Sequence, residues 1–340
     1  MTKFIVRRVA LAIPLLWLIS ILTFIMIQIP PGDFLTDYAA MMAYGAAGGA
    51  GGGDSEEVSQ AEIEFLRERY GLEQPIYVQY FKWLRGILTW DLGMSMNWRV
   101  SVNELINSRL LNTAFLSVST ILFTWTFAIP VGIISAVKQY SWIDYFFTFL
   151  AYFGVGTPNF MIALVALWVV FSVWGIPLHG LYSDEYLDAS WSFGKFLDLL
   201  KHLWIPMLIV GTDGTARLTR IVRANLLDEL GKPYVEAARS RGVRGINVVL
   251  KYPTRIALNP FISTVGYTLP SLFSGSLIVA VTLSLPTIGP LLLEALRSQD
   301  MYMAGSILFV LSALTVFGTM LSDILLALAD PRIRHGRAQG

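Results

Sequence analysis

The chain has 340 residues, 55% of them hydrophobic and 14% charged, with a mean hydropathy of +0.59. That is too apolar for an ordinary soluble domain; the formal net charge of +1 says nothing about nucleic acid, and no nucleic-acid partner is expected. The absence of cysteine rules out disulfides, thiolate nucleophiles and iron–sulfur clusters.

Several apolar runs reach the roughly 20 residues that a bilayer crossing requires. The short alternating segments of a membrane β-barrel are missing. The sequence therefore predicts an all-α polytopic protein of the cell (inner or plasma) membrane. Six spans are expected, at about 9–30, 110–137, 145–174, 203–226, 261–285 and 304–329. Lys3, Arg7 and Arg8 precede the first. Its apolar run is too long for a signal peptide, and Pro30-Pro31-Gly32-Asp33 offers no small-residue cleavage site, so it reads as a retained helix.

Residues 31–109 form a large loop. Within it, 39–53 are Gly/Ala-rich and read as a flexible spacer. Ser59 and Glu62 resemble a capping box, followed by Ile63, Leu66 and Tyr70 on one helix face and a stop at Gly71. The stretch from Tyr77 to Leu88 is amphipathic and aromatic, which suits the membrane interface. Further on, Pro130, Gly156-Thr157-Pro158, Pro206, Gly211, Gly214, Pro260, Gly266, Pro270 and Gly275 interrupt the spans. Close helix packing is the simplest reading of these residues, and a bundle that rocks between two states also fits them. The second loop, 175–202, carries Tyr182, Tyr186, Trp191 and Phe193, which read as interface anchors.

The fourth span is the most charged. Asp213 and Arg217 lie four apart and can pair on one helix face. A lone charge at the bilayer centre costs on the order of 3 kcal/mol, so the pair should face the bundle interior or water. A cavity-lining or gating contact and a neutralised structural pair fit equally well. Arg217, Arg220, Arg223 and Asn225 then lead to a basic loop, and a solvated or headgroup-facing role is expected for the arginines.

In that loop Pro233 can open a helix, because its missing N–H has no partner there. Gly242 can close it, because glycine takes the left-handed conformation cheaply. Tyr234, Ala237, Ala238 and Arg241 would then share a face with two small residues, open to a close-approaching partner. With the N-terminus in the cytoplasm, 16 Lys and Arg fall inside and 9 outside, while 6 acidic residues fall inside and 17 outside. This orientation obeys the positive-inside rule and puts both termini in the cytoplasm.

Signs of catalysis are absent. His179, His202 and His335 are scattered without metal-ligand spacing. Gly231-Lys232 lacks the rest of a phosphate loop. No catalytic residue and no metal ligand are nominated, and an enzyme is not expected.

The 232–245 loop resembles that of the permeases of ATP-binding-cassette importers, most closely the dipeptide/oligopeptide family. The family signature is Glu-Ala-Ala, three residues, then Gly, matched by Glu236-Ala237-Ala238 and Gly242. The later Ile-x-Leu-Pro ending is altered to Ile256-Ala257-Leu258-Asn259-Pro260. Other matches follow in order: Pro31-Gly32-Asp33, Tyr70 to Tyr80, Trp90 to Gly93, Leu285 to Gly289 and Asp330 to Arg334.

The resemblance implies the type I importer permease fold. The expected division is a first transmembrane helix (1–30), an extracytoplasmic loop (31–109), a five-helix core (110–329) with a cytoplasmic coupling loop (227–256), and a cytoplasmic tail (330–340). It implies a second homologous permease subunit, two ATPase subunits, an extracytoplasmic solute-binding protein and surrounding membrane lipid. ATP and Mg would sit on the ATPases, and this chain would bind no cofactor. The coupling face would be Tyr234, Val235, Glu236, Ala237, Ala238, Arg239, Arg241 and Gly242, with Asp213 and Arg217 on the translocation path. Di- and oligopeptides are the implied cargo. An oligosaccharide or glycoside importer is the alternative, ahead of an ATP-independent channel or secondary transporter.

Overall fold

A computed structural model describes residues 2–29, 74–175, 179–187, 189–243, 245–258 and 277–329. Among these residues the chain is helical and contains no strand, only an isolated backbone bridge between Met94 and Ser101. The helices are α1 (Thr2–Gln28), α2 (Ile76–Thr89), α3 (Val102–Val137), α4 (Trp142–Gly156), α5 (Asn159–Trp174), α6 (Phe193–Leu230), α7 (Pro233–Ser240), α8 (Gly245–Lys251), α9 (Pro253–Ala257), α10 (Leu277–Thr282), α11 (Ile288–Arg297) and α12 (Met301–Ala329). The spacer at 39–53 and the helix expected after Ser59 lie outside the described residues.

Three stretches among the described residues are long and apolar enough to cross a membrane: Ile5–Gln28, Val102–Val137 and Met301–Ile324. The expected span at 145–174 is not one straight helix. It is the pair α4 and α5, bent by 99°. Pro158 cannot donate a backbone hydrogen bond, and it pushes the residue before it out of helical geometry. Thr157 accordingly sits at φ −99°, ψ 120°. The expected span at 203–226 lies inside the 38-residue α6. Most of 261–285 falls outside the described residues.

The chain divides into two compact units, one of residues 11–110 and 291–313, the other of 1–10, 111–290 and 314–340. In the first, α2 packs on α1 through aromatics. Phe24 meets Tyr80 edge-on at 5.5 Å between centroids and Trp83 at 5.7 Å, and Ser20 hydrogen-bonds the Tyr80 hydroxyl at 2.8 Å. Trp83 in turn meets Phe309 at 6.1 Å. The opposite side of α2 leaves Ile76, Tyr77, Phe81 and Leu88 exposed, as an interface helix requires. Beyond α2, the fully buried Asp300 carboxylate accepts from the Ser95 hydroxyl at 2.5 Å and from the Asn97 and Met303 N–H groups at 3.2 and 3.1 Å. Burial pushes this carboxyl above the usual carboxylate range against those donors.

The second unit is built on α6. Leu199, Leu203, Ile209 and Val210 form a core with Ala163 of α5 and Val279 and Ala280 of α10. Pro130 and Pro206 lie inside unbroken helices. Several glycines allow close approach: a Cβ on Gly211 would stand 2.7 Å from Phe123, one on Gly132 2.8 Å from Val222, and one on Gly154 3.0 Å from Ala216. Packing thus explains Gly211, as the sequence predicts. Tyr182 departs from the expected interface role. It is buried and donates to Asn112 at 2.6 Å, and Asn112 donates to the Pro286 carbonyl at 2.9 Å. Burial, with Asp198 nearby, pushes the Tyr182 hydroxyl up to about 12. Arg8 of α1 pairs with Asp323 of α12 at 2.8 Å, bringing the start of the chain beside the end of its last helix.

Candidate functional site

The nominated helix forms between the predicted punctuation marks. Lys232 is extended, Pro233 occupies the first helical turn, and Gly242 is left-handed at φ +77°. Glu236 in the first turn and Arg239 in the last complement the helix dipole. Val235 and Ala238 are buried against Val248 of α8, with Tyr234 packed beside them. Glu236, Ala237, Arg239, Arg241 and Gly242 remain exposed. The two alanines predicted to share an open face are therefore divided: Ala238 anchors the helix and Ala237 faces outward.

The mount under α7 is held by hydrogen bonds and apolar contacts to α6. The Tyr234 hydroxyl donates to Glu229 of α6 at 2.7 Å. Burial first, and Glu229 second, push that hydroxyl up to about 12. Leu226, Val249, Ala257 and Ala136 pack together under it. Asn225 donates to the Ala257 carbonyl at 3.3 Å, and Thr254 to the Val249 carbonyl at 2.8 Å. These contacts tie α8 and α9 back to α6.

Farther along α6, Arg217 and Arg220 are exposed as expected, but Arg223 does not play the solvated role expected of it. Arg223 makes two parallel hydrogen bonds to Asp144 of α4, Nε to Oδ1 and Nη2 to Oδ2, both 2.7 Å. Asp144 is 1% exposed and also accepts from the Tyr140 N–H at 3.0 Å and the Thr148 hydroxyl at 3.3 Å. The guanidinium of Arg220 lies 4.7 Å from the Tyr152 ring centroid, within cation–π range. Arginine suits both contacts, because its planar fork matches a carboxylate and stacks on rings. Only the α6 half of this clamp was legible. The hint at the other half is Ser141, which caps α4 by accepting from the Asp144 N–H and so marks an acid at the start of an apolar run.

Asp213 and Arg217 pair as expected, at 3.0 and 3.1 Å, on the outer face of α6, where the Arg217 side chain is 67% exposed. Beside them Phe123, Phe127, Phe147 and Phe153, with Thr212 and Thr219, line an open groove between α3, α4 and α6. Among the described residues no cluster of His, Cys, Asp or Glu has metal-site geometry. His202 instead hydrogen-bonds the Asp198 carbonyl at 2.9 Å.

Residues 128–335 match the family of binding-protein-dependent transport system inner membrane components, and residues 1–117 match the N-terminal region of the same membrane components. The chain is 34% identical to the oligopeptide transport system permease protein AppB of Bacillus subtilis (strain 168), an alignment covering 98% of this chain and 100% of that protein. It is 29% identical to the dipeptide transport system permease protein DppB of Escherichia coli (strain K12), over 98% of this chain and 99% of that protein. The chain belongs to the binding-protein-dependent inner-membrane permease family, and its fold is the type I importer permease fold. Members of this family are permease subunits of importers, which work with ATPase and binding-protein partners.

Proposed function

We propose that this chain is the permease subunit of an importer that moves di- and oligopeptides into the cytoplasm. In this reading it binds no cofactor. It pairs with a second homologous permease, receives cargo from an extracytoplasmic binding protein, and is driven by two ATPase subunits that carry ATP and Mg. Six spans, both termini in the cytoplasm and a coupling loop at 227–256 complete it. The Arg8–Asp323 pair supports termini on one side. The observation that carries the reading is the outward face of α7, Glu236, Ala237, Arg239, Arg241 and Gly242, held on a helix too short to be stable without its mount. Force applied to this face passes into α6. Asp213 and Arg217, exposed beside the aromatic groove, are assigned to the translocation path.

Ala237→Glu tests the docking face. Ala237 is exposed in the isolated chain, so the substitution leaves membrane insertion intact and places bulk and charge against the ATPase. The variant should lose ATPase co-purification and ATP-driven uptake of a labelled tripeptide into proteoliposomes. Normal co-purification and uptake would remove the assignment of this face. Uptake of a maltooligosaccharide but not the tripeptide by the unaltered complex would remove the peptide reading.

A further inference from the structure

The surface of α6 changes character along the helix. Its first half exposes the apolar residues Phe193, Leu197, Leu200, Trp204 and Leu208. From Ile209 to Leu230 no large hydrophobic residue is exposed. The exposed residues there are Arg217, Arg220, Ala224 and Asp228. Their spacing puts them on one helix face, and Asp213, half-buried, extends that face by a turn. Most of this stretch is inside the membrane. Gly132, in the apolar crossing Val102–Val137, lies against Val222 and Thr219, and Ala136, at the end of that crossing, packs with Leu226. At about 1.5 Å per residue, Arg220 sits about 9 Å, and Asp213 about 20 Å, inside the level of Leu226.

Lipid does not suit this face. The neighbouring helices expose what lipid favours, such as Leu122 on α3, Phe149 on α4 and Trp168 on α5. Charged residues within a membrane turn instead to a bundle interior or to water. The arginines of this half of α6 also differ in what they already hold. Arg217 is paired with Asp213, and Arg223 with Asp144. Among the described residues Arg220 has no carboxylate partner. It lies over the exposed ring of Tyr152 on α4, 4.7 Å from its centroid. Such a contact leaves the charge in place and guanidinium N–H groups available to a planar anion. The Arg223–Asp144 clamp, one turn away, fixes α4 against α6 and so holds the ring under Arg220.

We infer that this face of α6 lines the water-filled cytoplasmic part of the translocation path, and that Arg220 is a specificity-determining contact for a carboxylate of the passing cargo. In the proposed peptide importer, on which this rests, every unmodified cargo carries such a group at its C-terminus. Arginine pairs with a carboxylate through two parallel N–H bonds. Water along the face screens the attraction, so the contact selects without trapping. A neutral oligosaccharide would meet at Arg220 a cation that it cannot neutralise.

The chain contains no cysteine, so a single introduced cysteine reports on its own position. In inverted vesicles holding the assembled transporter, Arg220→Cys and Ala224→Cys should react with a membrane-impermeant methanethiosulfonate at least tenfold faster than Phe149→Cys and Trp168→Cys, read as added mass on this chain. Labelling as slow as at those two positions, with and without ATP, would overturn the lining and mark a face covered by another subunit or by lipid. The carboxylate contact is read from uptake into proteoliposomes, with cargo supplied on saturating binding protein and complexes of equal subunit content. Arg220→Gln should slow uptake of a tripeptide with a free C-terminus at least fivefold and leave uptake of its C-terminal amide unchanged, and Arg220→Lys should recover part of the loss. An unchanged rate for the free acid would overturn the contact. So would equal losses for acid and amide, which would mark a structural role. Because the labelling needs no cargo, a face that fails to label is told apart from a peptide reading that fails.

Discussion

Replacing Asp144 with Asn tests whether the α4–α6 clamp is an energetic unit. Each oxygen of Asp144 faces two donors: Oδ1 accepts from Arg223 Nε and Thr148, and Oδ2 from Arg223 Nη2 and the Tyr140 N–H. An amide must turn its NH2 toward one of these pairs in either orientation. One arm of the guanidinium contact is therefore lost along with the charge. Removing one partner of a buried ion pair costs about 3–5 kcal/mol. The Asp144 side chain is 2% exposed, but that of Arg223 is 27% exposed and keeps some access to water. The expected loss is therefore about 2–3 kcal/mol, below that range. Unfolding of the purified protein in mixed micelles with SDS would measure Asp144→Asn, Arg223→Gln and the double variant. The cycle should give a coupling of at least about 1.5 kcal/mol, since the second substitution removes a contact already lost. Losses that add within about 0.5 kcal/mol would refute the clamp. Exchanging the two residues, Asp144→Arg with Arg223→Asp, should not restore stability. The Tyr140 N–H and the positive end of the α4 dipole are arranged for an anion at position 144.

Two further outcomes follow from the packing and the loop chemistry. Gly132→Ala should destabilise by about 1–3 kcal/mol in the same unfolding assay, because its methyl meets Val222 at 2.8 Å and the Thr219 carbonyl at 3.0 Å, whereas Gly156→Ala, with nothing within 4 Å, should not. Burial alone would raise the Asp198 carboxyl, but the Ser183 N–H and O–H, at 2.8 and 2.7 Å, with His202 and Lys201 nearby, bring it below the usual carboxylate range. A lowered folded pKa means that its stabilisation is complete above the ordinary carboxylate pKa of 3.8 and is lost as pH falls through the lower folded value. Hydrogen exchange of 181–187 should therefore lose protection on acidification below about pH 4 in the unaltered protein, relative to intrinsic rates, and show no such step in Asp198→Asn.

The local punctuation of the chain was legible, and its long-range partnerships were not. Pro233 and Gly242 act through their own backbone, so their meaning is written at their own positions. The bend at Thr157-Pro158 was visible only as an interruption. Pro14, Pro130 and Pro206 interrupt the sequence just as strongly, yet α1, α3 and α6 continue through them. What decides between a bend and a continuous helix is whether neighbouring groups satisfy the freed carbonyls, which a one-dimensional pattern does not contain. Arg223 was misassigned for a related reason. Charges on one helix face say that a partner or solvent is needed, but Asp144 lies 79 residues away. Ala237 and Ala238 show the remaining limit: helical spacing puts both on one broad face, and only the position of Val248 decides which is covered.

The arrangement around α6 constrains how a permease of this design transmits force. An eight-residue helix is not stable alone in water, so the stiffness of α7 comes from Val235, Ala238 and the Tyr234–Glu229 bond. Under the proposed function, a push on Glu236 and Ala237 must therefore move α6 rather than merely deform α7. One turn and more away, Arg223 and Arg220 tie α6 to α4, and the Gly154–Ala216 and Gly132–Val222 contacts leave no slack between neighbouring helices. Packed interfaces of this kind shift as bodies instead of stretching. The backbone leaves helical geometry at both ends of α4, at Tyr140 (φ +62°) and at Thr157, the 99° corner. The Arg223–Asp144 clamp joins α4 to α6, and the core around Ala163 joins α5 to the same helix, so under the proposed function a push that reaches α6 carries α4 and α5 with it.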